Sequence, residues 1–226
     1  MADRLQIETG VRRTPGDHAL SDGVGTWARA AEDAGFDGFV SSEIGRDPFL
    51  PLVLAAEHTE EIQLSTRIAT AFTRSPMVLA YLAWDLQRYS GGRFALGLGT
   101  QVRAHNEGRF SVDWHSPTDQ LREVIESLRH IWADVFQTND SGALDYEGEY
   151  YSFSLMTDFF NPGPIDDPDI HIHVAGINER NVTLAGERCD GICPPRVNTP
   201  SYIAEKIRPW IAEGASRRPP RRRAHT

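Results

Sequence analysis

The sequence has little that would suit a membrane protein or a disulfide-stabilised secreted protein. Its apolar runs are far shorter than the ~18–20 residues that a membrane-spanning helix needs. Cysteine is scarce: Cys189 and Cys193 are the 2 cysteines among 226 residues, which is too few for a disulfide framework. The N-terminus begins Met-Ala-Asp-Arg and lacks the apolar core of a secretion signal. These absences predict a cytoplasmic protein without a membrane partner.

The sequence also lacks an excess of positive charge. Its formal net charge is −9, whereas nucleic-acid-binding domains are normally basic, so we expect no nucleic-acid partner. The exception is the C-terminal segment 214–226, where arginines alternate with prolines and large apolar side chains are almost absent. We interpret this segment as a disordered, solvated tail. An arm that binds nucleic acid or a membrane surface is the less favoured alternative.

What the sequence does contain is a repeated alternation of strand and helix patterns. The clearest strand pattern is the apolar run 94–99, which follows a helix-ending glycine pair and ends in Gly-Leu-Gly-Thr. Small residues at that end let a ligand approach the backbone closely. Similar patterns predict further strands at 4–8, 38–43, 62–70, 170–175 and 190–193.

Helical patterns separate these strands. The most regular one begins at the cap 116–119, with proline in the first helical position, and has a continuous apolar stripe from Leu121 to Val135. Shorter patterns predict helices at 24–34, 48–56, 76–89, 178–189 and 200–211. Strict alternation predicts an α/β fold with a parallel sheet and right-handed crossovers.

Residues 137–169 interrupt this alternation between the fourth and fifth units. The segment is rich in Asn, Asp, Gly and Pro, and a connection of this length is more often a functional insertion than a simple loop. Two interpretations of its aromatic side chains stay open, since they could wall a substrate pocket or pack the insertion onto the sheet. The aromatic residues are Tyr146, Tyr150, Tyr151, Phe153, Phe159 and Phe160.

Three ionisable residues lie close to predicted strand ends. Glu43, at the end of the second strand, could exchange a proton with a ligand or be a solvated loop acid. His105, just beyond the glycine-rich strand, could protonate a substrate or contact a cofactor. Arg74 could hold an anionic group or form a surface ion pair.

Two further patterns resemble metal ligands but lack the spacing of a metal site. His171 and His173 fall on one face of a predicted strand, with no third ligand at a suitable distance along the chain. Cys189 and Cys193 span a helix end and a strand, unlike a zinc knuckle. We therefore expect packed histidines, buried thiols and no metal.

In this order, the segments resemble the bacterial luciferase-like monooxygenase superfamily, specifically its coenzyme F420-dependent oxidoreductase branch. The order and spacing hold from residue 4 to about residue 212. Together the pieces are specific to the superfamily, and less so to the cofactor. The pieces that carry the resemblance are 31–38, Glu43 with 47–52, 69–76, 90–99, 147–151, and 174–176 with 185–186 and 190–191.

The resemblance implies a (β/α)8 TIM-barrel fold with an insertion at 137–169. Here the barrel is incomplete, with about six βα units in a domain over 1–213, so we expect a C-terminally truncated barrel followed by the tail. An F420 or FMN ring would lie at the carboxyl ends of the strands. The family often has a bulge with a non-proline cis peptide at the end of the third strand, and usually has a small residue where Arg67 stands.

The resemblance also implies positions for the cofactor. The ring would lie over Ile68, Ala69 and Thr70, with Gly99, Thr100 and Gln101 at its edge. Backbone N–H groups and a helix dipole would hold the phosphate at the fifth strand. The residues of that loop are Ala175, Gly176, Ile177 and Asn178.

Two classes of function follow from the resemblance. The first is an enzyme that transfers a hydride between F420 and a small organic substrate, with Glu43 and His105 as catalytic candidates. A close variant uses reduced FMN and oxygen as a monooxygenase. The second class is a truncated, non-catalytic protein that binds a flavin or a partner subunit. In each case we expect a homodimer.

Overall fold

The computed structural model describes residues 7–11, 23–194 and 197–219. Most strands belong to one parallel sheet, with β4 pairing beside β5, and the sheet curls into a half-barrel of TIM-barrel type. The described strands at the ends of the sheet are β1 and β9. In chain order the strands are β1 (Glu8–Gly10), β2 (Gly38–Ser41), β3 (Gln63–Thr66), β4 (Ala69–Thr70), β5 (Phe94–Gly99), β6 (Tyr146–Glu147), β7 (Ser152–Phe153), β8 (His171–Ala175) and β9 (Gly191–Cys193), and the sheet order is β1-β2-β3-β5-β8-β9.

Helices follow the strands of the sheet. Several begin at the predicted caps: the Ser75 hydroxyl accepts from the Val78 N–H (3.3 Å), and the Asn178 side chain accepts from the Asn181 N–H (3.0 Å). The helices are α1 (Val24–Asp33), α2 (Leu50–His58), α3 (Pro76–Tyr89), α4 (Arg103–Phe110), α5 (Pro117–His130), α6 (Glu179–Arg188), α7 (Pro200–Tyr202) and α8 (Arg208–Ser216), with π-helical turns at Ile131–Phe136 and Ile203–Ile207.

The core lies between β5 and the helices packed on it. All residues of β5 are buried, which explains why its sequence is continuously apolar rather than alternating. The apolar stripe of α5 faces the same core, and Leu121, Val124 and Leu128 are fully buried. Burial of each such side chain contributes about 1.5–3 kcal/mol to the free energy of unfolding.

The end of the third predicted strand is interrupted, as the resemblance implied. Pairing with β5 runs through Ser65 opposite Ala95 and resumes at Ala69 opposite Leu98. The chain therefore advances by one residue more on the β3–β4 side than on the β5 side, which is a β-bulge. The peptide bond between Arg67 and Ile68, inside this bulge, is cis.

The insertion packs against helices of the sheet. The Trp84 indole N–H donates to the Gly163 carbonyl (3.0 Å), and the Tyr81 hydroxyl donates to the Phe160 carbonyl (2.7 Å). Tyr151 and Phe153 stack on each other and pack against the core. Of the two interpretations of the aromatic residues, packing onto the barrel therefore applies to these two.

The C-terminal boundary differs from the prediction. Helix α8 continues to Ser216, although we expected disorder from residue 214 onward. Gly214 lies so close to α6 that a Cβ there would be 2.0 Å from the Thr183 carbonyl oxygen. The Arg218 guanidinium donates to the Gly186 carbonyl (3.2 Å). Arginine-rich composition therefore did not prevent packing up to this point, and residues 220–226 lie outside the described residues.

Two expectations about absent features concern only the part of the chain that the structure covers. Among these residues, no helix combines the length and the apolar character needed to cross a membrane. Within the same ranges, no group of three or more His, Cys, Asp or Glu side chains is arranged to hold a metal ion. Cys189 and Cys193 are buried free thiols, as predicted.

Candidate functional site

A cleft of about 1250 Å³ opens at the carboxyl ends of the parallel strands. Residues from the ends of β1, β2, β5, β8 and β9 and from the bulge after β3 all contribute to its lining, so the predicted convergence of strand ends is present. The lining residues are Glu8, Thr9, Gly10, Val11, Val40, Ser41, Ser42, Ile44, Arg46, Arg67, Ile68, Thr100, Gln101, Val102, Ala175, Gly176, Ile177, Asn178, Asn181, Ile192, Cys193 and Pro194.

The cleft brings together most of the residues that the sequence assigned to the cofactor. Three of the assigned residues are buried and lie outside this lining: Ala69, Thr70 and Gly99. They belong to the strands that form the bulge and the glycine-rich strand end, and not to the surface of the cleft. The assigned residues that do line it are Ile68, Thr100, Gln101, Ala175, Gly176, Ile177 and Asn178.

Two hydrogen bonds connect the bulge to the end of β2. The Arg67 N–H donates to the Ser41 carbonyl (2.6 Å), and the Ser42 hydroxyl donates to the Arg67 carbonyl (2.5 Å). These two contacts hold the cis peptide at the surface of the cleft, where Arg67 and Ile68 both contribute to the lining.

Glu43 is placed differently from our expectation. Its carboxylate is almost buried, with 9% of the side chain exposed, and it is not among the lining residues of the cleft. It accepts a hydrogen bond from the Thr70 N–H (2.6 Å) and pairs with the Arg74 guanidinium (3.1 Å). Arg74 also pairs with Asp47 (2.7 Å). These contacts connect Glu43 to β4, and its carboxylate does not reach the surface of the cleft.

The same network shifts the pKa of Arg74. Burial alone would lower the pKa of the Arg74 guanidinium, but hydrogen bonds and attraction from Glu43 and Asp47 raise that pKa above its usual value. Of the two interpretations of Arg74, as a binder of an anionic group or as a member of a surface ion pair, the ion pair is present. The pair is half-buried and does not lie on the open surface.

His105 lies on α4, a helix that the sequence patterns did not predict. Its side chain is exposed and is not part of the cleft lining. The same helix contains a residue with a clearer structural role: Asn106 is fully buried, and its amide donates to the carbonyls of Thr100 (3.0 Å) and Val102 (3.2 Å). Asn106 therefore fixes the loop that leads from β5 into the cleft.

That loop has an unusual backbone at Gln101. Its φ of 56° lies in the left-handed region, which is uncommon for a residue other than glycine. The Gln101 side-chain oxygen accepts from the Val102 N–H (3.1 Å), which stabilises this local turn. Backbone conformations of this kind occur often at functional sites, and this one lines the cleft.

The loop after β8 leads into the N-terminus of α6. A Cβ on Gly176 would lie 3.2 Å from Val182 and 3.3 Å from Asn181, so the backbone here approaches the helix closely. Asn181 is held in turn by the Thr118 hydroxyl, which donates to its side-chain oxygen (2.7 Å). The first turn of a ten-residue helix thus faces the cleft beside a glycine, which is the arrangement that binds anionic groups.

A cluster of polar side chains around Arg67 was missed by the sequence patterns. Its guanidinium forms an ion pair with Glu8, is 3.3 Å from His173 Nδ1, and donates to Cys193 Sγ (2.6 Å). Glu8, Arg67 and Cys193 all line the cleft. The signal was present in the sequence, because an arginine stands where the resembling family usually has a small residue.

Two of the neighbours of Arg67, His173 and Cys193, are neutral groups. Burial, the Arg67 charge and His171 together lower the pKa of His173 to about 4. Burial raises the pKa of the Cys193 thiol, although Arg67 acts in the opposite direction. Glu8 is therefore the group that balances the Arg67 charge within this cluster.

Two curated relatives are similar to this sequence over most of its length. An uncharacterized protein of Mycobacterium bovis is 41% identical over 211 residues, covering 92% of this chain and 61% of that protein. A putative coenzyme F420-dependent oxidoreductase of Mycobacterium tuberculosis is 31% identical over 194 residues, covering 83% of this chain and 54% of that protein. The chain thus spans less than two thirds of the length of either relative.

Solved structures of two enzymes share the fold. The coenzyme F420-dependent tetrahydromethanopterin reductase from Methanopyrus kandleri superposes with a TM-score of 0.74 at 24% identity, covering 93% of this chain and 60% of that one. The oxygenating constituent of 3,6-diketocamphane monooxygenase from Pseudomonas putida, in complex with FMN, gives a TM-score of 0.73 at 20% identity, covering 96% of this chain and 65% of that one.

The family assignment follows from these matches and from the curled parallel sheet with its cleft at the strand ends. A family model described as luciferase-like monooxygenase matches residues 7–225, which is nearly the whole chain. The chain belongs to the luciferase-like monooxygenase family.

Proposed function

We propose that this protein is an oxidoreductase that binds coenzyme F420 in the cleft and takes part in hydride transfer with a small organic substrate. The observation that carries the proposal is the meeting of three features in one cleft: the bulge after β3, the left-handed turn at Gln101, and the glycine loop at the N-terminus of α6. The 31% identical mycobacterial relative, a putative F420-dependent oxidoreductase, supports the choice of cofactor.

The residues of the cleft fit such a cofactor. Its volume of about 1250 Å³ exceeds the ~300–1000 Å³ of sites that hold one drug-sized ligand, so a tricyclic ring can enter. Gly176 keeps the backbone free of a Cβ where an anionic group would approach the first turn of α6. Ile68 presents an apolar surface for the ring, and Thr100 and Gln101 present polar atoms for its edge.

The cofactor, when bound, supplies the hydride chemistry. The part of the protein is then to bind and orient it. Asn106 holds the loop at the ring edge, and Glu43 holds β4 next to the bulge. The N-terminus of α6 stabilises the negative charge of a phosphate.

FMN is the alternative cofactor, with a monooxygenase reaction as its usual consequence in this family. The FMN-bound monooxygenase from Pseudomonas putida has the same fold, and FMN carries a terminal phosphate that the loop after β8 would accept as readily. Both cofactors fit this cleft, and a binding measurement with each of them separates the two alternatives.

A non-catalytic binding protein is the second candidate function. It is favoured by the placement of the two catalytic candidates, since Glu43 is engaged by Arg74 and His105 is exposed on α4. Within the described lining, Glu8 is the one carboxylate, and it is paired with Arg67. Such a protein would bind the cofactor without turnover.

Two measurements test these functions. The first is a fluorescence titration of the full chain with F420 and, separately, with FMN, and saturable binding of F420 with the tighter dissociation constant is expected. The second is turnover with F420 and a panel of alcohols, aldehydes and enones. Binding without turnover would select the non-catalytic function, tighter binding of FMN would select the monooxygenase, and binding of neither cofactor would contradict the proposal. The homodimer and the cytoplasmic location stay predictions.

A further inference from the structure

The mouth of the cleft carries exposed apolar side chains on three separate loops. Ile44 follows β2, Val102 follows β5 and Ile177 follows β8, with exposed fractions of 54%, 56% and 54%. All three line the cleft. Single exposed apolar residues are normal on a protein surface, but several that converge on one concavity indicate a surface that binds an apolar molecule.

Apolar side chains continue this surface within the cleft. Val11 and Val40 contribute from the ends of β1 and β2, and Ile192 contributes from β9 on the opposite side. A ligand with a hydrocarbon body would therefore replace water against side chains on several strands. Each buried methylene group adds to its affinity in proportion to the area removed from water.

The ionic groups of the cleft are arranged around one internal pair. Glu8 and Arg67 form two hydrogen-bonded contacts, one of them between Nε and Oε2 at 3.1 Å, so this pair adds no net charge. Arg46 is the third ionic side chain of the lining. An uncharged ligand would leave the Glu8–Arg67 pair undisturbed, whereas a charged one would compete with it and would have to lose its own hydration.

The size of the cleft leaves space for a second molecule. At about 1250 Å³ it is larger than a site for one drug-sized ligand, so a substrate can lie beside the cofactor. Ile177 belongs to the loop that we assign to the cofactor. Ile44, on the loop after β2, and Val102, which follows the ring-edge residues Thr100 and Gln101, are not among the residues assigned to the cofactor and remain for the substrate.

We propose that the substrate is a small uncharged molecule with an apolar body, and that Ile44 and Val102 determine this specificity by direct contact. The inference rests on the proposed function, because it places substrate and cofactor in the same cleft. It adds a substrate class to that function.

The test is calorimetric titration of the full chain, with and without saturating cofactor, using 2-butanone, 2-hexanone and 2-octanone. The carboxylates of the same lengths (butanoate, hexanoate and octanoate) serve as charged counterparts. For the ketones we expect the dissociation constant to fall roughly fourfold per added methylene. Each carboxylate is expected to bind at least about tenfold more weakly than the ketone of equal length.

Matched variants separate the mouth of the cleft from the rest of the surface. Ile44→Asn and Val102→Asn are each expected to weaken 2-octanone about five- to tenfold. Val53→Asn on α2 and Val78→Asn on α3 change side chains that are also exposed (40% and 47%) but lie outside the cleft lining, and are expected to leave the affinity unchanged. Because all four side chains are exposed, thermal unfolding should show all four variants folded.

Three results would overturn the inference: a ketone affinity that does not depend on chain length, octanoate binding as tightly as 2-octanone, or equal losses in the cleft variants and the controls. The second result would assign an anionic ligand to the cleft instead. The cofactor titration is independent of these readouts. Its failure would contradict the proposed function, whereas a failed ketone series with intact cofactor binding would contradict the substrate class alone.

Discussion

The Thr66 hydroxyl makes two hydrogen bonds to the backbone of Gly97, donating to its carbonyl (2.7 Å) and accepting from its N–H (2.8 Å). The Thr66 side chain thereby replaces the backbone hydrogen bonds between β3 and β5 at the point where the bulge begins. The contact requires glycine, because a Cβ on Gly97 would lie 1.9 Å from the Thr66 carbonyl oxygen. Glycine at this strand end thus lets a neighbouring strand, as well as a ligand, approach the backbone closely.

Gly97→Ala is therefore expected to destabilise the protein. The added methyl group forces β3 and β5 apart in a buried region, and overpacking of this kind costs about 1–3 kcal/mol or more. Urea unfolding measures the change in the free energy of unfolding. The matched control is Gly108→Ala, where nothing lies within 4 Å of the added Cβ, and α4 should gain up to about 1 kcal/mol in helix propensity. Equal stability of the two variants would contradict the assigned role of Gly97.

Gly176→Asp tests the anion site at α6. The new carboxylate would stand where the cofactor phosphate is assigned, so the dissociation constant of F420 or FMN should rise roughly 10–100-fold. Gly108→Asp introduces the same side chain into open space on α4 and should leave the affinity within about twofold. Fluorescence titration measures both, and circular dichroism confirms that both variants are folded. An unchanged affinity for Gly176→Asp would place the phosphate elsewhere.

His173 predicts a dependence of stability on pH. Its pKa is lowered from 6.5 to about 4, so below about pH 6.5 the unfolded chain binds a proton that the folded chain does not. As the pH falls from about 6.5 to 4, His173 therefore lowers the free energy of unfolding by up to about 3 kcal/mol. His173→Asn keeps an acceptor for Arg67 but does not titrate, and should flatten this part of the profile.

Urea unfolding at a series of pH values between 4 and 8 measures the effect of His173. The control is His105→Asn, which changes an exposed side chain on α4 and should keep the slope of the unmodified protein. If both variants have the same slope as the unmodified protein, then His173 titrates normally and the predicted neutral state is wrong.

Glu32 predicts a second dependence at lower pH. Its carboxylate accepts from the N–H groups of Glu60, Glu61 and Ile62, at 3.0, 2.7 and 2.9 Å, and so holds the turn that precedes β3. Burial alone would raise the pKa of Glu32, but these hydrogen bonds and Arg29 lower it below 4.5. The stabilisation is complete above pH 4.5 and is lost as the pH falls through the lowered pKa.

Glu32→Gln removes the charge from this contact and should lower the free energy of unfolding at pH 7 by about 1–3 kcal/mol. Glu61→Gln changes a neighbouring exposed carboxylate and should have an effect within about 0.5 kcal/mol. Thermal and urea unfolding decide between the two positions, and an equal effect would assign the change to surface charge alone.

Much of the fold was predictable because its signals are local. Apolar runs and caps such as Ser75 and Asn178 placed the strands and helices of the sheet within a few residues. Helix α4 was missed because its sequence has no apolar stripe: Asn106 is its one buried residue, and what that residue stabilises is a loop. The end of α8 was misplaced because its packing depends on Gly214 meeting α6, a contact far away in sequence.

The site was predictable in outline but not in its side-chain chemistry. Loops at strand ends could be assigned to a cleft because parallel strands bring their carboxyl ends to one edge. The direction of a side chain is not fixed by that rule. Glu43 turns to Arg74 and Thr70, and Arg67 reaches Glu8 across the sheet, through contacts that no local pattern records.

Two helices hold the insertion at two separate points. The Glu123 carboxylate of α5 accepts from three consecutive N–H groups, those of residues 149–151, and the Arg88 guanidinium of α3 donates to three consecutive carbonyls, those of residues 162–164. Between these contacts, the stretch that includes the exposed Leu155 and Phe159 is the part of the insertion open to solvent. A single nick by a protease in that stretch would leave both halves fastened to the barrel, so the cut protein should migrate as one species until it is denatured.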